Sequence, residues 1–372
     1  MSRRQKQDRC QLSTSALPTR SKRSHLSNPL CPICFIVPPH MLRELAQRGD
    51  ETERDWAFQT LRVSEQFRGR REVLGSLPTL LMTPAGEKRR TVYDAQRRQR
   101  LPGKLVRGEG APPSKDVAVN EAYDGAGATY DLYHDVFGRN SIDDRGLRLD
   151  STVHYGRNYD NAFWNGSQMV YGDGDGQIFQ RFTKSIDVIG HELTHGVTQY
   201  TANLDYQDQP GALNESMSDV FGSLVKQRVL NQTAARADWL IGEGLFTASV
   251  KGVALRSMKA PGTAYNDPRL GKDPQPAHMK DIYTGNQDNG GVHINSGIPN
   301  HAFYLAAVKI GGYAWEKAGK IWYTALTTRL QHDSTFADAA NITIAIAGEL
   351  YGAGSDEENA VRDAWQQVGV IQ

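Results

Sequence analysis

Cysteine is nearly absent from this chain of 372 residues, which contains only three. Cys10, Cys31 and Cys34 all precede residue 35, so residues 35–372 cannot form a disulfide among themselves. We therefore expect the body of the protein to be stabilised by packing or by a bound metal. Cys31 and Cys34 have the C-x-x-C spacing of a redox pair or of half a zinc site, but no second pair follows at a suitable distance.

The sequence also lacks an excess of charge of either sign and any long hydrophobic run. It has 43 Lys and Arg residues against 42 Asp and Glu residues, for a formal net charge of +1. A chain without a strong net field is not typical of nucleic-acid-binding proteins. No apolar run approaches the roughly 20 residues that a membrane-spanning helix needs. We therefore expect neither nucleic acid nor a membrane among its partners.

The N-terminus has a composition of its own. The first 24 residues contain seven Lys or Arg, one acidic residue and almost no apolar side chains. This composition predicts a disordered basic arm, which we place at residues 1–30. The arm lacks the apolar stretch of about 7 to 15 residues that a secretory signal needs. An organellar transit peptide and a weak nucleic-acid-binding tail are alternative interpretations.

Hydrophobic periodicity divides the rest of the chain into parts. Between His40 and Phe67 the apolar residues recur at helical spacing, which predicts two short amphipathic helices. Residues 68–90 carry basic clusters at both ends and predict an exposed linker. Thr91–Tyr171 is rich in Gly, Asp, Asn and Tyr, which predicts an antiparallel β-rich region with many turns. Helical patterns then predominate, over residues 184–201, 214–230, 298–311, 314–328, 335–350 and 356–367.

The first of these later helices carries His-Glu-Leu-Thr-His at 191–195. Residues four apart on an α-helix are separated by about 40° around its axis and about 6 Å along it. His191 and His195 therefore project from one face and can reach a single ion. Glu192 lies beside the first histidine and can reach a water molecule at that ion. The alternative interpretation is a pair of surface histidines, so the motif alone does not establish a metal site.

A second helix supplies a third ligand. Catalytic zinc usually takes three protein groups and leaves one position for water. Residues 214–219 read Asn-Glu-Ser-Met-Ser-Asp, which places Glu215 and Asp219 on one helix face. One carboxylate can bind the metal, and the other can accept a hydrogen bond from a ligand histidine. The alternative, an interaction of two acids with the helix dipole, does not explain their apolar surroundings.

Five blocks of sequence resemble the thermolysin family of zinc metallopeptidases, and specifically its protealysin-like branch. Thermolysin itself is a standard example of zinc bound by two histidines and a glutamate. The metzincin motif does not fit, because Thr198 and Thr201 stand where that motif needs Gly and His. The resemblance extends over about residues 90–372 and is carried, in family order, by N-A-F-W-N-G at 161–166, H-E-L-T-H at 191–195, N-E-S-M-S-D at 214–219, L-R-S-M at 255–258 and D-N-G-G-V-H-I-N-S-G at 288–297.

The resemblance implies an α+β fold of two lobes. The β-rich N-terminal peptidase domain is expected over residues 86–203 and ends in the zinc helix, and a mainly α-helical C-terminal domain is expected over residues 204–372. Phe35–Leu42 resembles the short propeptide motif of protealysin-like precursors. Residues 31–85 are therefore expected to form a propeptide and linker, removed by a cut between Arg68 and Arg90.

The resemblance also implies a role for each site residue. The expected zinc ligands are His191, His195 and Glu215, with Asp219 behind them. The residues expected at the scissile bond are Glu192 as general base, His293 as oxyanion-stabilising group or proton donor, Asp288 as the residue that orients His293, and Tyr206 beside the oxyanion. The residues expected to bind substrate are Asn161, Ala162, Trp164 and Arg256. The residues expected to line an apolar pocket, which favours Leu or Phe after the scissile bond, are Phe179, Phe182, Val188, Ile241 and Leu255.

Calcium is the point at which this chain departs from the family. Thermolysin-like enzymes hold two calcium ions in a carboxylate cluster, and Asp187, Asp238 and Glu243 match three of its members. Lys226 stands where a bridging glutamate is expected, and Leu240 where another acid is expected. An ammonium supplies part of a cation's charge without the 6 to 8 oxygen ligands that calcium needs. We therefore expect at most one calcium ion.

The sequence thus predicts a monomeric zinc endopeptidase that is made as a precursor and acts on peptides or proteins. Two other classes are a non-catalytic zinc-dependent binding protein and a nucleic-acid binder that uses the basic arm. Glu192 argues against the first, because a protein that does not hydrolyse peptides has no chemical need for a carboxylate there. The basic residues cluster only where order is least expected, which argues against the second. We expect secretion without a recognisable signal peptide, and a cytoplasmic location is the alternative.

Overall fold

The computed structural model describes residues 35–74 and 87–372. The predicted basic arm at 1–30, the three cysteines and residues 75–86 of the predicted linker lie outside the described residues. The helices of the described parts are α1 (Pro39–Arg48), α2 (Glu51–Leu74), α3 (Val117–Phe137), α4 (Ile186–Gln199), α5 (Asp208–Val229), α6 (Asp288–Asn295), α7 (Gly297–Ile310), α8 (Ala318–Thr328), α9 (Phe336–Tyr351) and α10 (Asp356–Gln367). Their strands are β1 (Arg90–Asp94), β2 (Lys104–Gly108), β3 (Leu149–Val153), β4 (Ala162–Trp164), β5 (Met169–Tyr171), β6 (Leu240–Ile241), β7 (Arg256–Ser257), β8 (Asn266–Asp267) and β9 (Gly271–Lys272).

Two helices are present near the N-terminus, as predicted, but the second is longer than expected: α2 has 24 residues and ends at Leu74. Proline fits the first position of a helix, because its missing N–H has no partner there, and Pro39 begins α1. Met41, Leu42 and Leu45 form the buried face of α1 and join the main hydrophobic core of the protein. The segment therefore packs as part of the peptidase body rather than as a separate unit.

The predicted linker is wrong at both of its ends. Residues 68–74 belong to α2, and Arg90 begins β1. The Arg90 guanidinium binds the Glu109 carboxylate, with 2.8 Å between Nε and Oε2, so this basic residue is not part of an exposed end. Of the range expected to contain the maturation cut, residues 75–86 lie outside the described residues, and residues 87–89 belong to no helix or strand.

The sheet of the N-terminal lobe is mixed, whereas the sequence predicted an antiparallel region. Its five strands follow the order β2-β1-β3-β5-β4. β1 pairs antiparallel with β2 and parallel with β3, and β3 pairs parallel with β5. A parallel pair needs a long crossover, and α3 supplies it between β2 and β3. β4 is left at one edge, where its outer side can pair with another peptide.

Helix α3 was missed because its sequence does not look helical. Gly125 and Gly127 lie in its interior, where each lowers helix propensity by about 1 kcal/mol relative to Ala. The helix is bounded by strong local signals: Asp116 accepts a hydrogen bond from the Ala118 N–H at its start, and Gly138 adopts a left-handed conformation at its end. Gly125 lies against Ile189 of α4 and leaves no room for a side chain. Close packing on α4 thus outweighs the low propensity.

The later helices agree with prediction to within a few residues, apart from an earlier start for α5 and from α6, which was not predicted. α4 is buried from Asp187 to Thr198 and lies between α3 and α5. A helix that is buried on all sides is a central element of a core. None of the helices in the described parts of the chain is long and apolar enough to cross a membrane.

Candidate active site

The centre of the candidate site is the face where α4 meets α5. Nε2 of His191 lies 3.0 Å from Nε2 of His195. The Glu215 carboxylate of α5 lies 3.4 Å from the first nitrogen and 3.6 Å from the second. Among the described residues, this is the one group of three or more His, Cys, Asp or Glu side chains whose ligand atoms all lie within 4.8 Å of one another. The structure brings the three predicted zinc ligands together.

The three side chains fit a zinc ion. All are buried, and Oε2 of Glu215 accepts no hydrogen bond from the described residues. A buried carboxylate oxygen without a partner is unfavourable unless a cation satisfies it. Burial lowers the pKa of His195 to about 3, so its imidazole is neutral and its Nε2 lone pair is available. Two histidines and a glutamate are a donor set typical of catalytic zinc.

Asp219 lies against the first predicted ligand. Its Oδ1 lies 2.7 Å from Nδ1 of His191, which leaves the other ring nitrogen of His191 facing His195 and Glu215. Arg256 binds both carboxylate oxygens of Asp219 at 2.8 Å, and Asn300 donates to Oδ2 at 2.8 Å. Burial by itself would raise the pKa of Asp219, but the Arg256 guanidinium and His191 hold it below its usual range. Asp219 is therefore ionised and links the metal site to Arg256.

Three residues to which the sequence analysis gave no role contact His195 or Asp219. Oδ1 of Asn214 lies 2.8 Å from Nδ1 of His195, and Oγ of Ser218 lies 3.0 Å from the same nitrogen. Both residues are in the block 214–219 and could have been noted, because they lie on the helix face of Glu215. Asn300 is on α7, far along the chain, and only the fold brings its amide to Asp219.

Glu192 lies beside the ligand cluster without joining it. Its Oε2 accepts a hydrogen bond of 2.9 Å from the Trp164 N–H on β4, and its Oε1 has no partner among the described residues. Burial raises the pKa of Glu192 to about 8. A carboxyl group whose pKa lies near the working pH can both accept and return a proton, which suits general acid–base chemistry.

His293 faces the cluster from α6, where Asp288 holds it. Asp288 binds Nδ1 of His293 at 2.8 Å and accepts a hydrogen bond from the His293 N–H at 2.9 Å. The four residues 288–291 all have φ between 52° and 80°, a turn that Gly290 and Gly291 adopt with the least strain. This turn immediately precedes Val292 and His293, so it helps to position His293.

Tyr206 completes this side of the site. Its hydroxyl donates a short hydrogen bond to Glu215 and lies 3.2 Å from Nε2 of His293. Burial by itself would lower the pKa of His293, but Asp288 and Glu215 raise it above its usual range. Both groups can therefore donate a proton or a hydrogen bond toward the same point.

The chain's own residues 35–37 lie in the cleft between these groups. The Phe35 carbonyl oxygen is 3.0 Å from Nε2 of His293. The Ile36 N–H donates to the Ala162 carbonyl at 3.2 Å, and Arg256 donates to the Ile36 carbonyl at 3.1 Å. Asn161 accepts from the Val37 N–H at 3.0 Å and donates to the Val37 carbonyl at 3.4 Å. Residues 35–37 thus contact three of the four predicted substrate-binding residues.

Trp164, the fourth, contributes its backbone N–H to Glu192 rather than to residues 35–37. The predicted pocket residues Phe179, Phe182, Val188, Ile241 and Leu255 are each at most 1% exposed. They belong to the same hydrophobic core cluster as Ile36.

A second charged cluster lies at the other end of the α4–α5 contact. Nζ of Lys226 lies 2.8 Å from Asp238, 3.3 Å from Glu243 and 3.5 Å from Asp187. The Leu240 carbonyl is 3.4 Å from the same nitrogen. Burial by itself would lower the pKa of Lys226, but Asp187 and Asp238 raise it, so the ammonium is charged. The lysine therefore lies among the carboxylates predicted to surround calcium.

Two family models match this chain. Residues 83–199 match the thermolysin metallopeptidase catalytic domain, and residues 202–370 match the thermolysin metallopeptidase alpha-helical domain. The boundary between the two matches follows the end of α4, which carries both histidine ligands.

Individual relatives are similar over most of the chain. An extracellular metalloprotease of Pectobacterium carotovorum subsp. carotovorum is 50% identical over 340 residues, which cover 91% of this chain and 97% of that protein. A thermolysin of Alicyclobacillus acidocaldarius subsp. acidocaldarius is 47% identical over 287 residues, 75% of this chain and 50% of that protein. The structure of the protealysin precursor from Serratia proteamaculans has 54% identity and a TM-score of 0.84, and the match covers 91% of this chain and all of that one. On this similarity, the chain belongs to the thermolysin family of metallopeptidases.

Proposed function

We propose that the protein is a zinc endopeptidase made as a latent precursor. The observation that carries this proposal is the position of one peptide carbonyl, that of Phe35, beside His293 at the edge of the His191–His195–Glu215 cluster. A metal site with a peptide bond held against it fits hydrolysis better than a purely structural role.

The mechanism assigns one task to each side chain. A zinc ion bound by the two histidines and Glu215 would make a water molecule more acidic and polarise the substrate carbonyl. Glu192 takes a proton from the attacking water and passes it to the nitrogen of the leaving amine. His293 and Tyr206 donate hydrogen bonds to the carbonyl oxygen as negative charge develops there. No covalent bond to the enzyme is formed.

The proposed preference is for a large apolar residue after the scissile bond. Phe179, Phe182, Val188, Ile241 and Leu255 supply the apolar walls, and a Leu or Phe side chain would bury its surface among them. The substrate backbone would take the bonds now made by residues 36–37 to Ala162, Asn161 and Arg256.

Latency follows from the same contacts. While residues 35–37 lie in the cleft, no other peptide can use these donors and acceptors. We therefore propose that the N-terminal segment inhibits the enzyme until a cut within the range 68–90 releases it.

For cofactors we propose one catalytic zinc and at most one calcium. Lys226 supports this because its ammonium already contacts Asp187, Asp238 and Glu243. We further propose that the enzyme acts outside the cell as a monomer, in line with the relative named an extracellular metalloprotease. A cytoplasmic location is the alternative, and binding of nucleic acid is not expected.

The direct test is zymography of the purified protein with and without a zinc chelator. We expect a zone of protein hydrolysis that disappears with the chelator and returns when zinc is added in slight excess. A zone that persists after zinc has been removed to below one ion per hundred chains would contradict the proposal.

A further inference from the structure

Residues 35–37 follow the path of a substrate rather than simply obstructing the cleft. Each backbone polar group from the Phe35 carbonyl to the Val37 carbonyl has a partner that substrate is proposed to use: His293, Ala162, Arg256 and Asn161. Alternating bonds of this kind fix the register of an extended peptide, because a shift by one residue would turn each N–H and C=O group away from its partner.

The register singles out one peptide bond. Of the three carbonyl groups, only that of Phe35 faces the ligand cluster. Its oxygen lies 3.0 Å from Nε2 of His293, and this nitrogen lies 3.5 Å from the Glu215 carboxylate. The Ile36 carbonyl is turned to Arg256 and the Val37 carbonyl to Asn161. The Phe35–Ile36 bond therefore occupies the reactive position, and Ile36 enters the apolar core as the residue after the scissile bond.

The part of the chain after Ile36 is anchored independently of the part before it. Ile36 and Val37 are at most 1% exposed, and Met41, Leu42 and Leu45 of α1 are at most 2% exposed. All five belong to one hydrophobic core cluster with residues of the peptidase body. A cut before Ile36 would therefore leave residues 36–74 seated in the cleft.

We propose that the precursor hydrolyses its own Phe35–Ile36 bond and remains inhibited by the segment that starts at Ile36. In the reaction the carbon–nitrogen bond breaks, hydroxide from water joins the Phe35 carbonyl carbon, and a proton joins the Ile36 nitrogen. This inference rests on the proposed peptidase function and names its first substrate. Phe35 and Ile36 are enclosed by the same chain, so the cut is intramolecular and precedes the cut at 68–90.

The experiment follows the full-length precursor by intact mass and N-terminal sequencing after zinc is added to metal-free protein. We expect a new N-terminus at Ile36, formed with the same rate constant at two protein concentrations that differ tenfold. Glu192→Gln should slow its appearance by the factor of about 10² to 10⁴ expected for loss of a general base. Ile36→Pro should prevent it, because proline has no N–H for Ala162. Phe58→Ala, at an exposed position of α2, serves as the matched control with an unchanged rate.

A second measurement covers the case in which Ile36→Pro does not fold. The peptide Pro-Ile-Ser-Phe-Ile-Val-Pro, which copies residues 32–38 with serine at position 34, is given to the mature enzyme. We expect a single cut between Phe and Ile. If the mature enzyme hydrolyses a casein substrate but cuts neither this peptide nor the precursor at Phe35–Ile36, the inference is wrong and the proposed function stands. If it hydrolyses none of them, the proposed function itself has failed.

Discussion

The contact between α4 and α5 includes two clusters of charged side chains, and the two clusters differ in where positive charge would come from. At one end Oε2 of Glu215, beside His191 and His195, accepts no hydrogen bond from the described residues, and a bound cation would satisfy it. At the other end Lys226 supplies an ammonium from the chain itself, in contact with Asp187 and Asp238. We refer to these as the metal end and the lysine end.

The two ends are therefore expected to serve different purposes, catalysis at the metal end and stability at the lysine end. An ion at the metal end would take three protein groups as ligands and could also bind water and substrate. An ammonium cannot do this, but it needs no supply from solution and cannot be lost. Changes at the metal end should therefore affect turnover more than stability, and changes at the lysine end should do the reverse.

The largest effect is expected for Glu192→Gln at the metal end. The amide cannot accept a proton, and kcat should fall by about 10² to 10⁴. Glu192 is not a metal ligand, so zinc content and melting temperature should stay near those of the wild type. Steady-state kinetics on one peptide and metal analysis of the same sample provide the check. Glu349→Gln, on the exposed face of α9, is the control. Near-native turnover would show that the proton acceptor is another group.

His293→Ala should have the next largest effect. His293 contacts the carbonyl oxygen on which charge develops, so its loss should lower kcat by about 10² to 10³ and change KM much less. The exposed residue His134 of α3 offers a control, and His134→Ala should leave both constants unchanged. A change confined to KM would make His293 a residue that only binds substrate.

Lys226→Met should destabilise the protein without changing kcat per folded molecule. The variant keeps most of the aliphatic packing and leaves Asp187, which is 0% exposed, without its counter-charge. Breaking a buried ion pair costs about 3 to 5 kcal/mol, and we expect the lower end because Asp238 and Glu243 are partly exposed. Urea unfolding measures this loss.

The double variant Asp187→Asn, Lys226→Met tests the cause of that loss. It removes both charges and should recover much of the stability, because an uncharged amide replaces the buried carboxylate. Lys309→Met, which breaks an exposed pair with Asp363, should have a much smaller effect than Lys226→Met. Equal losses for Lys226→Met and Lys309→Met would show that the lysine end has no special role.

The two ends also differ in how far the sequence predicted them. The ligands at the metal end are predictable, because a spacing of four residues on a helix fixes which side chains share a face. Lys226 was identified only against the pattern of a family, since its three carboxylate partners come from two separate stretches of chain. Asn300 could not be found at all, because only the packing of α7 brings it to Asp219.

The fold, too, could be predicted from the sequence only in part. Helices with regular apolar spacing, such as α9, were predicted, whereas α3 was missed because Gly125 is there for close packing on α4 rather than for helix formation. The motif at 35–42 indicated a propeptide, but the bond from His293 to Phe35 depends on a register that only the structure contains.

A smaller effect is expected from acid near the metal end, where α1 places His40 beside Asp288 and His293. Burial lowers the pKa of His40 in α1 to about 4, from a usual value of 6.5, and His40 lies near the charged groups Asp288, His293, Arg256 and Arg43. The seated segment thus binds fewer protons than the released one, and its binding is strongest above pH 6.5 and weakens as the pH falls toward 4. Between pH 7.5 and 5.5 the loss is about tenfold.

The measurement for His40 is the activity of precursor that has not been cut within 68–90, relative to mature enzyme at each pH, so that titration of the active site cancels. This ratio should rise about tenfold from pH 7.5 to 5.5 in the wild type. It should stay flat in His40→Gln, which keeps a polar side chain but cannot titrate. Parallel profiles for the two precursors would assign the acid response to another group.

The smallest effect, a shift close to zero, is expected when calcium is removed from the wild-type protein. Calcium needs 6 to 8 oxygen ligands at about 2.3 to 2.6 Å, and the ammonium of Lys226 already lies among the oxygens of Asp238, Glu243 and Asp187. A calcium-selective chelator should therefore leave the melting temperature unchanged while activity at the metal end continues. Lys226→Glu should give the opposite result. It replaces the internal cation with a fourth carboxylate, so the stability of the variant should depend on calcium. Two tightly held calcium ions per zinc in the wild type would show that the lysine end still binds metal, and the contrast between the two ends would then be lost.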